Sequence, residues 1–298
     1  MPRRPSPLPQ QFRGRAFAVT DAREAVSARR LAGEDLWSPT RGVRLPSSAR
    51  DLRSRCIAHA LTLPPTATFS HITACSPHAL PLPLTIEQSS AIHVTVPTGV
   101  RAPRREDLVG HQRPLPTEDV VEVAGLRFTS LSRTFCDLAE ILDLTALVAV
   151  GDRMLWRWAP KLDVSDLERA VKAMAGRRGA KRATRALELL DDGAESPKET
   201  ELRLLLLAAG FGPFASNVEL SDAEGVFVAR VDLALPLLRI AIEYEGDHHR
   251  EPAQWRKDIA RRRRIEALGW IYLPVTQADL DDPRRLIADL ASAMVVRR

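Results

Sequence analysis

The chain has 298 residues, 45% of them hydrophobic, with a formal net charge of +5, long enough for two domains with a sizeable buried core. No apolar run approaches the ~20 residues that a membrane helix needs, and no apolar segment follows the basic start Met1–Pro5 as a signal peptide requires, so the expectation is a soluble, cytoplasmic protein without membrane contact. Cys56, Cys75 and Cys136 are odd in number and far apart, which excludes a disulfide framework or a paired zinc motif and marks them as reduced core thiols.

In chain order, residues 1–14 are rich in Pro and Arg without periodicity, the composition of a disordered basic tail. From residue 15 to 50 the pattern changes. Thr20–Ala25 reads as a short helix, and Ser27 is placed to cap a second one over Ala28–Leu36. Leu36–Leu45 then reads as two short strands about a turn. Helix, short turn, helix, hairpin is the order of a winged helix-turn-helix.

Residues 51–190 are mixed. Asp51–Leu61 and Ser70–Leu80 are helical, and Ala91–Val96 is a strand. Val120–Val123 and Leu126–Thr129, joined at Ala124-Gly125, form a hairpin. Ser132–Leu142 and Thr145–Trp158 are helices, and the basic loop Arg177–Arg182 precedes another that ends near Leu190. Asp191–Ala194 reads as a domain boundary.

Residues 195–298 are the most regularly patterned. Ser196-Pro197-Lys198-Glu199 opens a helix, with Ser196 as cap, Pro197 in the first turn and Glu199 positioned for a capping box. Strands follow over Val226–Leu235 and Arg239–Tyr244, then a helix over Ala253–Leu268 stopped by Gly269, a strand over Trp270–Val275 and a helix over Pro283–Val296. The order α-β-β-α-β-α implies a mixed sheet flanked by helices. Charge divides unevenly: residues 195–298 carry a net −2 and residues 1–194 a net +7, a basic excess compatible with phosphate contacts on DNA.

The sharpest chemical feature lies on these strands. Side chains alternate along a strand, so Glu243 and Glu245 share one face while Ile240, Ile242 and Tyr244 take the other. An antiparallel turn at Pro236–Leu238 brings Asp232 close to the Glu pair. Converging carboxylates raise one another's pKa unless a cation neutralises them, and an all-oxygen ligand set suits Mg²⁺ or Mn²⁺, which activates water against a phosphodiester. His248 and His249 leave the strand end, with His249 the candidate general base. Arg250, Arg256, Lys257, Arg261 and Arg262 are candidate phosphate contacts; Asp258 and Arg262 stand four apart, at pairing distance on a helix.

Asp232 followed after ten residues by Glu243-x-Glu245 resembles the core of the PD-(D/E)XK nuclease superfamily. With Gly246-Asp247-His248-His249, Trp255 and Leu268-Gly269-Trp270, residues 195–290 resemble the very-short-patch-repair (Vsr)-like endonucleases more narrowly. The resemblance implies catalytic roles for Asp232, Glu243, Glu245 and His249, and a metal set to which Glu199, with Glu201 as the substitute, adds a first-helix acid. Glu245 stands where the superfamily places a lysine. Arg41-Gly42-Val43, His71–Ala74, His93–Pro97 and Gly125–Thr134 resemble the antitoxins of abortive-infection type IV toxin–antitoxin systems. That resemblance implies a winged-helix repressor contacting DNA through Arg29 and Arg30 of its second helix and through the wing at Arg41 and Arg44.

The expected fold is therefore α+β / α/β: an N-terminal winged helix-turn-helix, a mixed middle domain, and a restriction-endonuclease-like α/β domain over 195–298. Two functions follow. One is a Mg²⁺- or Mn²⁺-dependent DNA endonuclease in repair or phage defence. The other is a DNA-binding repressor or antitoxin-like protein with an inactive nuclease-like domain. A toxin–antitoxin or defence partner protein is compatible with either.

Overall fold

The computed structural model describes residues 5–246 and 252–297, the side chains of 252–256 excepted. Its contacts divide the chain into two units, residues 1–79 with 83–137, and residues 80–82 with 138–298. The second boundary cuts the segment that the sequence reads as one domain over 51–190.

The first unit begins earlier than its composition suggests. Leu8 and Phe12 are buried with Phe17, Ala22, Val26 and Leu31, and Gln10–Phe12 form a 3-10 turn. The disordered tail expected over 1–14 is thus corrected for its described part: two apolar side chains four residues apart suffice to dock it. The helices α1 (Val19–Ala22) and α2 (Ala28–Leu31) follow strand β1 (Phe17–Ala18). Ser27 caps α2 by accepting from the Arg30 amide at 3.2 Å. Strands β2 (Leu36–Trp37) and β3 (Val43–Pro46) complete a three-stranded antiparallel sheet in the order β1-β3-β2.

Helices α3 (Leu52–Ala60), α4 (His71–His78), α5 (Leu84–Glu87) and α6 (Leu131–Leu138) accompany strands β4 (Thr68–Phe69), β5 (Ile92–Val96), β6 (Arg104–Arg105), β7 (Leu108–Gln112), β8 (Val120–Val123) and β9 (Leu126–Thr129). The strands form a six-stranded sheet in the order β6-β7-β5-β4-β9-β8. The β5/β7 and β4/β9 pairs are parallel and the others antiparallel. Ala124 and Gly125 both take positive φ, 51° and 77°, the conformation a two-residue hairpin turn requires, so β8 and β9 lie where the sequence places them. Ile92, Val94, Val96, Phe69, Phe128 and Cys56 form the core. All three cysteines are buried and outside any disulfide.

The second unit opens with α7 (Leu144–Leu155), α8 (Val164–Ala173), α9 (Ala180–Leu187) and α10 (Pro197–Ala208). Asp152 of α7 accepts from the Arg203 guanidinium at 2.9 Å and from the Thr200 hydroxyl at 2.7 Å, both on α10, and from the Asp191 amide at 2.7 Å. The expected boundary at Asp191–Ala194 is therefore a packed strap: Gly193 and Ala194 are buried, and the Gly193 carbonyl accepts from Asn217 at 2.7 Å. Buried backbone demands partners, and here the Gly193 amide also donates to the Asp191 carboxylate at 2.7 Å.

Strands β10 (Ala215–Ser221), β11 (Phe227–Leu235), β12 (Ile240–Tyr244) and β13 (Ile271–Val275) form a sheet in the order β10-β11-β12-β13. Its first three strands are antiparallel, and β13 runs parallel to β12. Helix α11 (Pro252–Ala267) precedes β13, and α12 (Gln277–Asp281) and α13 (Arg284–Val296) follow it. Leu202 and Leu206 of α10 and Leu286 and Leu290 of α13 pack with Leu233, Leu235, Ile240 and Ile242. Ile265 of α11 packs with Val231, Ala234 and Ala241 in a separate cluster. The sheet is thus mixed and covered by helices, as the pattern implies; β10 and α12 are additions. The chain as a whole is mixed α+β.

Candidate functional site

Antiparallel pairing sets Leu233 opposite Ile242 and Leu235 opposite Ile240; continued by one step, the register places Asp232 opposite Glu243. Ile240, Ile242 and Tyr244 pack together in the core beneath α10 and α13. Glu243 and Glu245 share the other face, where both accept from the Tyr272 hydroxyl, at 2.7 and 3.3 Å. The alternation read from the sequence holds.

Asp232 accepts from the Tyr244 amide at 2.8 Å. Burial, then the negative charges of Glu199 and Glu243, push its carboxyl up to about 7 against the bond from Tyr244 and the charge of Arg261. Glu199 enters from the first turn of α10, its amide bonded to the Ser196 hydroxyl at 3.2 Å. Its carboxylate accepts from the Glu195 amide at 2.8 Å and from Asn217 at 2.6 Å, so it caps one residue earlier than a capping box would. Glu243 is 9% exposed and is ion-paired to Arg261, which also donates to the Arg230 carbonyl. Burial and the Glu243 charge hold the Tyr272 phenol well above its ordinary value.

The acids therefore gather closely enough to couple. A Mg²⁺ shell needs oxygens at ~2.1 Å from the ion, hence about 3 Å apart. Among the described residues Glu199, Asp232, Glu243 and Glu245 do not bring three ligand oxygens within 4.8 Å of one another; the trio that meets this spacing is made of histidines in the first unit. The cation that the acidic centre calls for is supplied by Arg261. In this arrangement the acids do not fit a Mg²⁺ or Mn²⁺ ion.

The other basic positions divide. Lys257 is exposed on α11. Arg262 bonds forward to Glu266 at 2.8 Å rather than back to Asp258, and lies 5.6 Å over the Tyr272 ring; a carboxylate one turn ahead offers the same helical spacing. Arg256 lies in α11 with its side chain outside the described ones. His248, His249 and Arg250 lie outside the described residues.

In the first unit Arg29 is exposed. Arg30, expected to meet DNA, is instead a brace: it grips Asp35 through two bonds of 2.9 and 2.7 Å, donates to the Ser6 carbonyl, and is 11% exposed. A bidentate carboxylate outcompetes solvent for a guanidinium. Arg44 is similarly occupied, donating to the Leu31 carbonyl at 2.7 Å. Arg41 is exposed beside Gly42 at the hairpin turn. It lines a cleft of ≈ 530 Å³ with Arg105 and Asp107.

Sequence reasoning missed Arg261 as the clamp and Tyr272 as its neighbour. Tyr272 was within reach: parallel pairing sets Ala241 beside Tyr272 and Glu243 beside Pro274, so alternation puts Tyr272 on the Glu243 face once that pairing is known. Nothing in Arg261–Arg264 marks which guanidinium turns inward.

Residues 82–191 match the family model described as the AbiEi antitoxin C-terminal domain. Over 207 residues the chain is 32% identical to the uncharacterized protein Rv2248 of Mycobacterium tuberculosis strain H37Rv, covering 69% of this chain and 74% of the relative. The uncharacterized protein MT2308 of strain CDC 1551 matches with the same identity and coverage. No solved structure matches the chain.

Proposed function

Because the chain belongs to one family with Rv2248 of Mycobacterium tuberculosis and residues 82–191 match the AbiEi antitoxin C-terminal domain, we propose that it is an antitoxin-type DNA-binding regulator acting opposite a toxin partner. The match over residues 82–191 is the observation that carries this reading. The N-terminal order β1-α1-α2-β2-β3 supports it, being compatible with a small winged motif. Arg29 and Arg41 are its exposed phosphate contacts, while Arg30 and Arg44 hold the motif together. The nuclease-like unit serves as scaffold, its acidic centre closed by Arg261.

Gel-shift titration of the full chain on DNA flanking its own gene tests this. The expected result is salt-sensitive binding that Arg29→Ala with Arg41→Ala weakens roughly tenfold or more and Asp232→Ala leaves unchanged. Binding that ignores both arginines refutes the assignment of the interface, and absence of DNA binding refutes the regulator.

A second reading, a metal-dependent endonuclease, is favoured by one observation: Asp232 is held near 7 by burial and by Glu199 and Glu243, the frustrated electrostatics expected of a functional centre. It requires Arg261 to leave Glu243. Nicking of duplex or mismatched DNA with Mg²⁺ or Mn²⁺, lost in Asp232→Asn, would establish it. No cleavage by the wild-type chain or by Arg261→Gln would dismiss it.

A further inference from the structure

We propose that His71, His93 and His111 form a binding site for one divalent transition-metal ion of borderline softness, Zn²⁺ foremost, within the first unit. It belongs to a different unit from the acidic centre and adds a ligand to the regulator described above.

The backbone assembles the three imidazoles. Strands β5 and β7 pair in parallel with His93 beside Val109 and Thr95 beside His111. His93 and His111 are therefore diagonal neighbours on one face of the sheet. Strand β4 pairs with β5 on its other side and leads directly into His71 at the start of α4. His71 holds φ at 52°, a left-handed conformation costly for a residue with a Cβ. In that conformation the ring lies 3.8 Å from the His111 ring and 5.3 Å from the His93 ring.

The donor geometry suits one ion. His93 Nδ1 and His111 Nε2 face each other at 3.0 Å, and one ligand atom from each of the three histidines lies within 4.8 Å of the others. Two nitrogens each ~2.1 Å from a shared Zn²⁺ stand about 3–3.4 Å apart. The first pair already meets that spacing, and the widest edge exceeds it by little more than about 1 Å, a side-chain adjustment. The rings of His71 and His111 stack at 3.8 Å, so entry of the ion turns His71 out of that stack.

The protonation state is also prepared. Burial pushes His71 down to about 2 and His93 and His111 to about 4, so all three are neutral and have a lone pair to give. Imidazole nitrogens select Zn²⁺, Co²⁺ or Ni²⁺ over Mg²⁺. His71 Nδ1 lies 2.9 Å from the Ser70 hydroxyl and 3.9 Å from Asp137, the outer partners that orient a ligating histidine. The nearby charge of Arg133 is offset by its bonds to Asp137 and Asp119, both 2.8 Å. Three protein nitrogens leave a fourth position for water or an anion.

The test uses the full chain, stripped with chelator and titrated with ZnCl₂ by calorimetry. The expected result is one tight site per chain, with a Kd below micromolar that His93→Gln with His111→Gln weakens at least a hundredfold. Zn²⁺ should raise the melting temperature of the wild type and not of that variant. Binding is retained in Asp232→Asn and in His248→Ala with His249→Ala, which separates this site from the acidic centre and from the histidine pair that follows Glu245 in sequence. X-ray absorption of the wild-type zinc form needs no variant and should count three imidazoles. No tight binding, binding lost in Asp232→Asn, or a ligand shell dominated by oxygen overturns the proposal and leaves a hydrogen-bonded His93–His111 pair with His71 stacked on it.

Discussion

Asp232 illustrates how one residue carries opposing demands. The bond from Tyr244 favours its charged form, while burial and two neighbouring carboxylates disfavour it, and the balance lifts it to about 7 from 3.8. Below about pH 4 the carboxyl is protonated in both folded and unfolded chains and contributes no difference. Between about 4 and 7 the unfolded chain releases the proton that the folded chain retains, so stability falls as pH rises through that window. Above about 7 the loss is complete and amounts to at most about 4 kcal/mol. Asp232→Asn keeps an acceptor for the Tyr244 amide and removes the charge. The variant should therefore lack this slope and be more stable than the wild type at pH 8, with little difference at pH 4, as read by urea denaturation at both. Equal stability at pH 8 would show that Arg261 neutralises the centre fully.

At the scale of elements, the second unit depends on the junction of α7 and α10. Asp152 is buried and meets Arg203, Thr200 and the Asp191 amide. Burial nevertheless pushes it up to about 6, outweighing Arg203. A buried pair of this kind is costly to break and modest in net worth. Asp152→Ala, which leaves the buried Arg203 only the Leu189 carbonyl at 2.9 Å and the Asp191 carboxylate at 3.7 Å, should cost about 3 kcal/mol, whereas Asp152→Leu with Arg203→Met should cost much less. The two denaturation midpoints decide between them, and equal losses would mean the hydrogen bonds to Thr200 and Asp191 carry the junction. Elements with a strong local code were legible: the Ala124-Gly125 hairpin, the Ser27 and Ser196 caps, and the alternation along β12. Strands β4 and β6, two residues each, are too short for any period to register, and their existence depends on neighbours distant in sequence.

For the whole molecule, residues 1–194 carry a net +7 and residues 195–298 a net −2, so the proposed DNA contact is assigned to the basic first part of the sequence. The slope of log affinity against log salt should be shallower by about one for each phosphate-contacting residue removed. Arg29→Ala is expected to show that change. Arg30→Ala, losing its grip on Asp35 and Ser6, should instead lower the melting temperature. Unchanged slopes in Arg29→Ala, measured from 50 to about 200 mM salt, would move the DNA interface elsewhere.

By itself the sequence determined the features written in short-range pattern: three reduced thiols, the helix caps, the hairpin turn, and the strand faces that set Glu243 and Glu245 against Ile240 and Ile242. Tertiary structure decided which charges find each other. Arg261 reaches Glu243 across 18 positions, Tyr272 reaches it across 29, and three histidines from α4, β5 and β7 bring ring nitrogens within 4.8 Å of one another. Side-chain periodicity arises from backbone geometry a few residues at a time. Charge pairing and ligand clusters arise where distant segments exclude water together, and no local pattern marks those meetings in advance.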